Sequence, residues 1–432
     1  MRASELDSIL ASSSDPQVNE ASAALRALFG DSYLGDFAVA FWDGSYFGAK
    51  RSQQFVLCVN TPGALRAAFT PPLDLGFGRA FARGELDVKG SLEYAVDCFL
   101  RAGKAMTLSR AVRLATILWR LPKSPATELH EADLHGGRHS RRRDLAAVGF
   151  HYDQPLAFYR SFLDQQLQYS AAYFDEGAET LDAAQAAKLD YTLRKLHLRS
   201  DERLLDIGCG WGALVVRAAQ QFGARALGIT LSRVQCEEAQ RHIERAGVGN
   251  RVRVELRDYR DLGNERFDKI ASIGMFEHVG RAQLRRYFRK VFSLLRPGGL
   301  FLNSGISNQN EGRKGGRTTG FIARFVFPDG ELVPIGDALA IAERAGFEVR
   351  DVESLREHYA QTLRLWVANL ERHRHEAVAA SGLENYRTWR LYMAGSAQGF
   401  VTGRLGVFQS LLARPGDDGS VALPPTRRNL YR

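Results

Sequence analysis

The sequence is short of cysteine, of long apolar runs and of repeats. Its 432 residues include four cysteines, Cys58, Cys98, Cys209 and Cys236, with no CxxC pair and no metal-ligand spacing. A disulfide framework and a structural zinc site are therefore not expected, and a reducing compartment is. No stretch approaches the roughly 20 consecutive apolar residues that cross a bilayer as a helix. The opening "MRASELDSIL" carries acidic residues where a signal peptide has an apolar core. The expectation is a cytoplasmic protein, at most peripheral on the inner face of the membrane. An RNA-binding signature and an interleaved aromatic series are also missing, so nucleic acid is not an expected partner. The excess of 58 Lys+Arg over 49 Asp+Glu, net +9, fits an anionic partner such as a phospholipid surface.

The chain reads in three parts. Residues 1–121 read as a small α/β domain, lipid-associating or dimerising, with strands at "FAVAFW" and "QFVLCV" and a helix at "PGALRAAF". Within it, Phe99 to Leu121 reads as one amphipathic helix with Arg101, Lys104, Arg110, Arg113 and Arg120 on its polar face. Such a helix can lie on anionic lipid, or pack on its own domain with a solvated basic face. Residues 122–148 read as a linker holding a basic knot of Arg138 and Arg141 to Arg143. Residues 149–432 read as the main domain. Strands at "RLLDIG", "ARALGIT", "RVRVELR", "FDKIASIG" and "LFLNSGI" alternate there with helices such as "ALVVRAAQQF" and "LRRYFRKVFSLL". That alternation predicts an α/β fold, a mostly parallel sheet with helices on both faces.

The chemistry gathers at strand ends. In "LLDIGCGWG" the glycines Gly208, Gly210 and Gly212 follow an apolar strand, so the backbone can approach a ligand closely. The spacing is G-x-G-x-G, not the G-x-G-x-x-G of dinucleotide folds, and no P-loop Lys follows. Asp206, before the turn, suits a site for S-adenosylmethionine, whose ammonium it can help to hold. The next strand ends at Thr230, Leu231 and Gln235, neutral hydrogen-bonding groups for a ribose. The third ends at Asp258 and Tyr259, a carboxylate and a ring for adenine, and the fourth at "SIGMFEHVG". Open α/β sheets bind ligands at these carboxyl ends.

"HYD", "FYRSFLD", "QYSAAYF", "TLDAAQAAKLD", "LLDIGCGWG", "GITLSRVQ", "DYRD", "SIGMFEHVG" and "LRPGGLFL" together resemble the cyclopropane-fatty-acyl-phospholipid synthases and their mycolic-acid relatives. The resemblance runs from about His151 to the C-terminus. It implies a Rossmann-like methyltransferase that moves a methyl carbon from S-adenosylmethionine to a cis double bond of a phospholipid acyl chain. The resulting carbocation loses a proton to a base, in the family a bound bicarbonate, and closes a cyclopropane ring. By that resemblance the catalytic set is Glu277, Tyr359, Ser304 and Gly274, and Tyr169 and Ser170 reach the carboxylate end of the cofactor. Two positions depart from the family pattern: Ala171 stands for a Cys, and Ser304 for a His. Serine bonds an anion but carries no imidazole proton. A methylene- or methyl-branched chain is therefore the alternative product, with a reductase as a further partner, and a homodimer is plausible for the family. An amine methyltransferase and a non-catalytic binding protein are other readings.

Single residues also carry bland readings. His151 and Asp153 open the segment expected to cover the cofactor, yet both could be helix caps. His278 reads as a structural hydrogen-bonding residue. Phe321, Phe325 and Phe327 in "GFIARFVFPDGEL" either line an acyl channel or fill a core.

Overall fold

The computed structural model describes residues 14–30, 37–48, 53–125, 128–175, 180–308, 316–317, 320–421 and 423–430. The opening decapeptide lies outside them. Contacts divide the chain into two compact units, Met1–Glu131 with Thr319–Val326 and Ser381–Gln398, and Ala132–Thr318 with Phe327–Ala380 and Gly399–Arg432.

The first unit opens with α1 (Pro16–Phe29), whose first turn is capped by the Asp15 carboxylate on the Gln17 amide. Strands β1 (Phe37–Phe41), β2 (Tyr46–Gly48), β3 (Phe55–Val59) and β4 (Leu86–Gly90) form a sheet in the order β2-β1-β3-β4. Helices α2 (Ala64–Ala68) and α3 (Leu73–Arg83) lie between β3 and β4 in the chain, and α4 (Leu92–Lys104) and α5 (Leu108–Arg120) follow β4. Phe37 stacks on Phe55 at 4.7 Å and meets Phe29 of α1 at 5.0 Å, so the aromatic strand residues bind helix to sheet.

The single helix expected over Phe99–Leu121 is instead two. Ala105 ends α4, and the Thr107 hydroxyl accepts the Arg110 amide to start α5. A capping side chain inside an amphipathic run outweighs the periodicity. Nor do the five cations share a face: Arg110 turns back and donates to the carbonyls of Ala27 and Leu28 at the end of α1.

The second unit begins with α6 (Arg141–Tyr152), α7 (Leu156–Arg160) and α8 (Leu181–Lys195). The stretch expected to be a linker thus ends in helix, and three of the four arginines of its basic knot are paired. Arg138 and Arg143 pair with Asp329, and Arg141 with Asp261. Then come β5 (Arg203–Ile207), α9 (Ala213–Phe222), β6 (Arg225–Thr230), α10 (Arg233–Ala246), β7 (Val252–Leu256), β8 (Phe267–Ile273), α11 (Leu284–Leu294) and β9 (Leu295–Asn308). The chain continues through β10 (Gly316–Arg317), α12 (Gly320–Phe325), β11 (Glu331–Leu332), α13 (Ile335–Arg344), β12 (Glu348–Ser354), α14 (Arg356–Arg372), α15 (Arg374–Val401) and β13 (Leu405–Ala413). Helix α12 and the middle of α15 belong to the first unit, and α15 is interrupted at Gly382, φ 84°.

The main sheet has the order β12-β13-β9-β8-β5-β6-β7. The five contiguous strands from β9 to the β7 edge are parallel, as expected; β13 runs antiparallel to both β9 and β12. Side-chain alternation along each strand feeds two cores. Leu204, Ala226 and Ala271 pack with α8, α9 and α10, whereas Leu205, Leu227 and Ile270 pack with α11 and α13. The chain goes from β5 outward to β6 and β7, then returns to the other side of β5 as β8. The ends of β5 and β8 therefore flank the topological switch point, where a sheet of this kind opens a crevice.

Candidate active site

The glycine turn after β5 divides its labour. Gly208, Gly210 and Gly212 have φ of 82°, 54° and 87°, all left-handed. The amides of Gly208 and Cys209 both donate to the Ile229 carbonyl, at 2.9 and 3.0 Å, which ties the turn to β6. Gly212 caps α9, and a Cβ there would press on the Ala239 methyl of α10 at 3.1 Å. Gly210 differs: a Cβ on it would meet nothing within 4 Å. It leaves the backbone bare toward a cleft. Burial pushes the Cys209 thiol well up, so it is no nucleophile.

All the predicted cofactor residues except Gly212 line that one cleft, and Gly274 joins them. The Thr230 hydroxyl donates to Gln235 Oε1 at 2.7 Å and accepts the Ser232 amide at 3.1 Å. Burial raises the Asp258 carboxyl, but Arg260, bonded to it at 2.6–2.9 Å, wins and holds it below the usual carboxylate range. Arg260 also reaches Asp144 at 3.1 Å. This end of the cleft carries fixed charges in a closed set.

The opposite end contains a residue that sequence reasoning missed. Lys188 of α8 is 3% exposed, lines the cleft, and donates to the Ser170 hydroxyl at 3.0 Å. Burial lowers its pKa to about 8, against the pull of Asp164 and Asp206. Burial likewise raises Asp206, and Lys188 limits the rise. The available signal was spacing: Leu181, Ala184, Gln185 and Lys188 share the buried face of α8, so a lysine sat where an apolar residue belongs.

Glu277 lies in a 3₁₀ turn, Phe276–His278, that follows β8. Its carboxylate packs against β9 over Gly305, 3.1 Å from where a Cβ would be. One oxygen accepts the Ile306 amide at 2.6 Å, and among the described residues the other is buried without a partner. Burial pushes the acid up to about 7, although the Ile306 amide opposes it. Ser304, which precedes Gly305 in β9, is 5% exposed, and its carbonyl accepts the Gly274 amide at 2.9 Å. Gly274 and Ser304 are thus joined backbone to backbone, and Glu277 packs on the next residues of β9, but of the four predicted catalytic residues only Gly274 lines the cleft. Tyr359, on α14, meets Trp366 edge-on at 5.9 Å, and the other predicted ring, Tyr169, stacks on that Trp at 5.1 Å.

Phe327 lies 3.9 Å from the His151 ring and 5.7 Å from that of His278. Phe321 and Phe325 fall in the first unit, where the Phe321 ring fills the space over Gly78; neither lines the cleft. Asp153 caps the end of α6 and accepts the Ser232 hydroxyl at 2.6 Å. His278, also on the cleft, is driven by burial down to about 4 and is a neutral ring at physiological pH.

The sequence pattern of mycolic acid cyclopropane synthetase matches residues 139–410. The chain belongs to that family. A probable fatty acid methyltransferase of Pseudomonas putida is 40% identical over 394 residues, 90% of this chain and 95% of its own. A probable fatty acid methyltransferase of Mycobacterium tuberculosis is 35% identical over 398 residues, 89% of this chain and 92% of its own. Among solved structures, the mycolic acid cyclopropane synthase CmaA1 complexed with SAH and CTAB is 34% identical, with a TM-score of 0.59 over 62% of this chain and 98% of that one. The synthetase-family chain described here is an S-adenosylmethionine-dependent methyltransferase. Its cleft fits that cofactor: Gly210 is bare toward the cleft, Asp206 and Lys188 are buried ionisable groups beside Ser170, and Thr230 and Gln235 are neutral where a ribose belongs.

Proposed function

We propose that this methyltransferase acts on a cis double bond in a phospholipid acyl chain and closes a cyclopropane ring. When bound, S-adenosylmethionine supplies an electrophilic methyl carbon, which the alkene π pair attacks as the carbon–sulfur bond breaks. The chain's own residues then have two tasks, to shelter a cation and to remove one proton. For shelter, the neutral rings of Tyr152, Tyr169 and His278 line the cleft, and aromatic faces attract a cation. For proton removal, the observation that carries the reading is Glu277, a buried acid with one oxygen unpartnered and a pKa raised to about 7. Such a group is poised to take a proton at physiological pH. As the proton leaves the new methyl, its C–H pair closes the ring.

A branched product is the second reading. It is favoured by Ala171 and Ser304, which stand where the resemblance expects Cys and His, and is compatible with the relatives named as probable fatty acid methyltransferases. The test of the shared step is incorporation. Methyl-labelled S-adenosylmethionine and a cis-monounsaturated phospholipid should yield labelled acyl chains after hydrolysis. Label found only in added amines, or nowhere, would overturn the proposal.

A further inference from the structure

Helix α5 is apolar on two opposite sides. Leu114, Ile117 and Leu118 are buried on the inner one. On the outer one, Leu108, Val112 and Trp119 stand 82%, 59% and 77% exposed. At 3.6 residues per turn these three and the exposed Ala115 fall within about 60° of arc. The stripe runs the length of the helix. A lone exposed leucine needs no explanation, but a continuous apolar stripe ending in an exposed Trp marks an interaction surface.

What surrounds the stripe selects its partner. Helix α5 contains no acidic residue. Lys104, Arg113 and Lys123 around it are exposed and form no ion pair among the described residues. Arg66 places its guanidinium 5.2 Å over the Trp119 ring while donating to the Trp119 and Leu121 carbonyls at 3.2 and 2.8 Å. Lys104 lies just before the helix, Lys123 just after it, and Arg113 about 100° round from Val112. An apolar stripe with unpaired cations so placed matches the boundary between phosphate headgroups and acyl chains, a depth Trp also prefers. A second copy of the chain fits worse, because a two-fold contact would set cations against cations. At 13 residues the helix is about 20 Å long and lies on a bilayer rather than across it.

We infer that α5 is an interfacial anchor for an anionic phospholipid membrane. Leu108, Val112 and Trp119 enter the acyl boundary, and Lys104, Arg113 and Lys123 meet the phosphates. The choice of partner rests on the lipid reading above, which it deepens by naming the surface that meets the bilayer.

The test uses the full chain and vesicles of equimolar phosphatidylglycerol and phosphatidylcholine. The triple variant Leu108→Ser, Val112→Ser, Trp119→Ser changes exposed positions and one contact, Arg66 over the Trp119 ring, so it should fold with only a small drop in thermal midpoint. Its vesicle affinity should fall at least about tenfold. A Lys104→Gln, Arg113→Gln variant should bind more weakly and with less salt dependence. Methyl transfer to the same lipid dispersed in detergent should be unchanged in both. Parent protein that ignores these vesicles, or a triple variant that binds them as the parent does, would overturn the anchor. So would a triple variant that only changes oligomeric state. Vesicle binding that depends on α5, with no methyl transfer to dispersed lipid by any protein, would leave the anchor standing and remove the lipid-methylation reading instead.

Discussion

The carboxylate of Glu277 rests on the bare backbone of Gly305, 3.1 Å from the position of an absent Cβ, while the next amide, Ile306, donates to it at 2.6 Å. A buried acid is thus held by one oxygen, while its other oxygen is buried without a partner among the described residues. Removing its charge separates function from stability. Glu277→Gln should keep the Ile306 bond and bind S-adenosylmethionine normally, yet lose about 10²–10⁴ in turnover. Its folded-state pKa, about 7 against an ordinary 4.5, means that the native state holds the proton more tightly than the unfolded chain. The parent therefore loses stability as pH rises between those values, up to about 3 kcal/mol by pH 8. The variant should escape that loss, so denaturation at pH 5 and pH 8 should differ less in Glu277→Gln than in the parent. Turnover of the parent should rise through pH 7 as the base ionises.

Gly305→Ala tests the seat rather than the acid. The new methyl would stand 2.1 Å from ring carbons of Phe276, so the 3₁₀ turn must shift and take Glu277 with it. Overpacking of this kind costs about 1–3 kcal/mol. Chemical denaturation should show that loss, and turnover should fall with cofactor affinity preserved.

The glycine turn allows two substitutions to be told apart. In Gly210→Ala the added Cβ meets no neighbour within 4 Å, so the stability cost should be limited to the left-handed backbone, about 1–2 kcal/mol. It should still abolish cofactor binding, measured by calorimetry. Gly212→Ala presses on Ala239 instead and should lower the thermal midpoint more.

Lys188→Met should weaken S-adenosylmethionine binding by about ten- to a hundredfold, the worth of one charged hydrogen bond. Parent affinity should also decline as pH rises through about 8, where Lys188 loses its proton. Calorimetry across pH 6–9 checks both, and the variant's pH dependence should be flatter on the alkaline side.

These residues also show how far sequence reasoning reached. The glycine turn, Thr230, Asp258 and Gly274 were legible because parallel strands place their carboxyl ends on one rim, and short polar clusters there have few structural uses. Lys188 was missed because a helix lysine ordinarily faces water, although its spacing from Leu181, Ala184 and Gln185 places it on the buried face of α8. The break between α4 and α5 was hidden because the Thr107 cap lies inside an unbroken amphipathic period. Strand β12, "EVRDVES", alternates weakly because it is an edge strand with only Asp351 buried. Phe321 and Phe325, expected either to line an acyl channel or to fill a core, are buried in the first unit; that placement depends on a chain return no local pattern encodes.

Restoring the family residue at one departure bears on product choice. Ser304→His should raise ring formation several-fold relative to any branched product, measured as the product ratio. An unchanged ratio would show that Ser304 plays no part in directing the carbocation.

The most direct measurement of the central claim is a proton NMR spectrum of acyl chains recovered after reaction with S-adenosylmethionine and a cis-monounsaturated phospholipid. Strongly upfield cyclopropyl protons, present with the parent protein and absent with Glu277→Gln, are the predicted result. Chains heavier by one carbon that show vinyl signals and no cyclopropyl protons would contradict ring closure at Glu277.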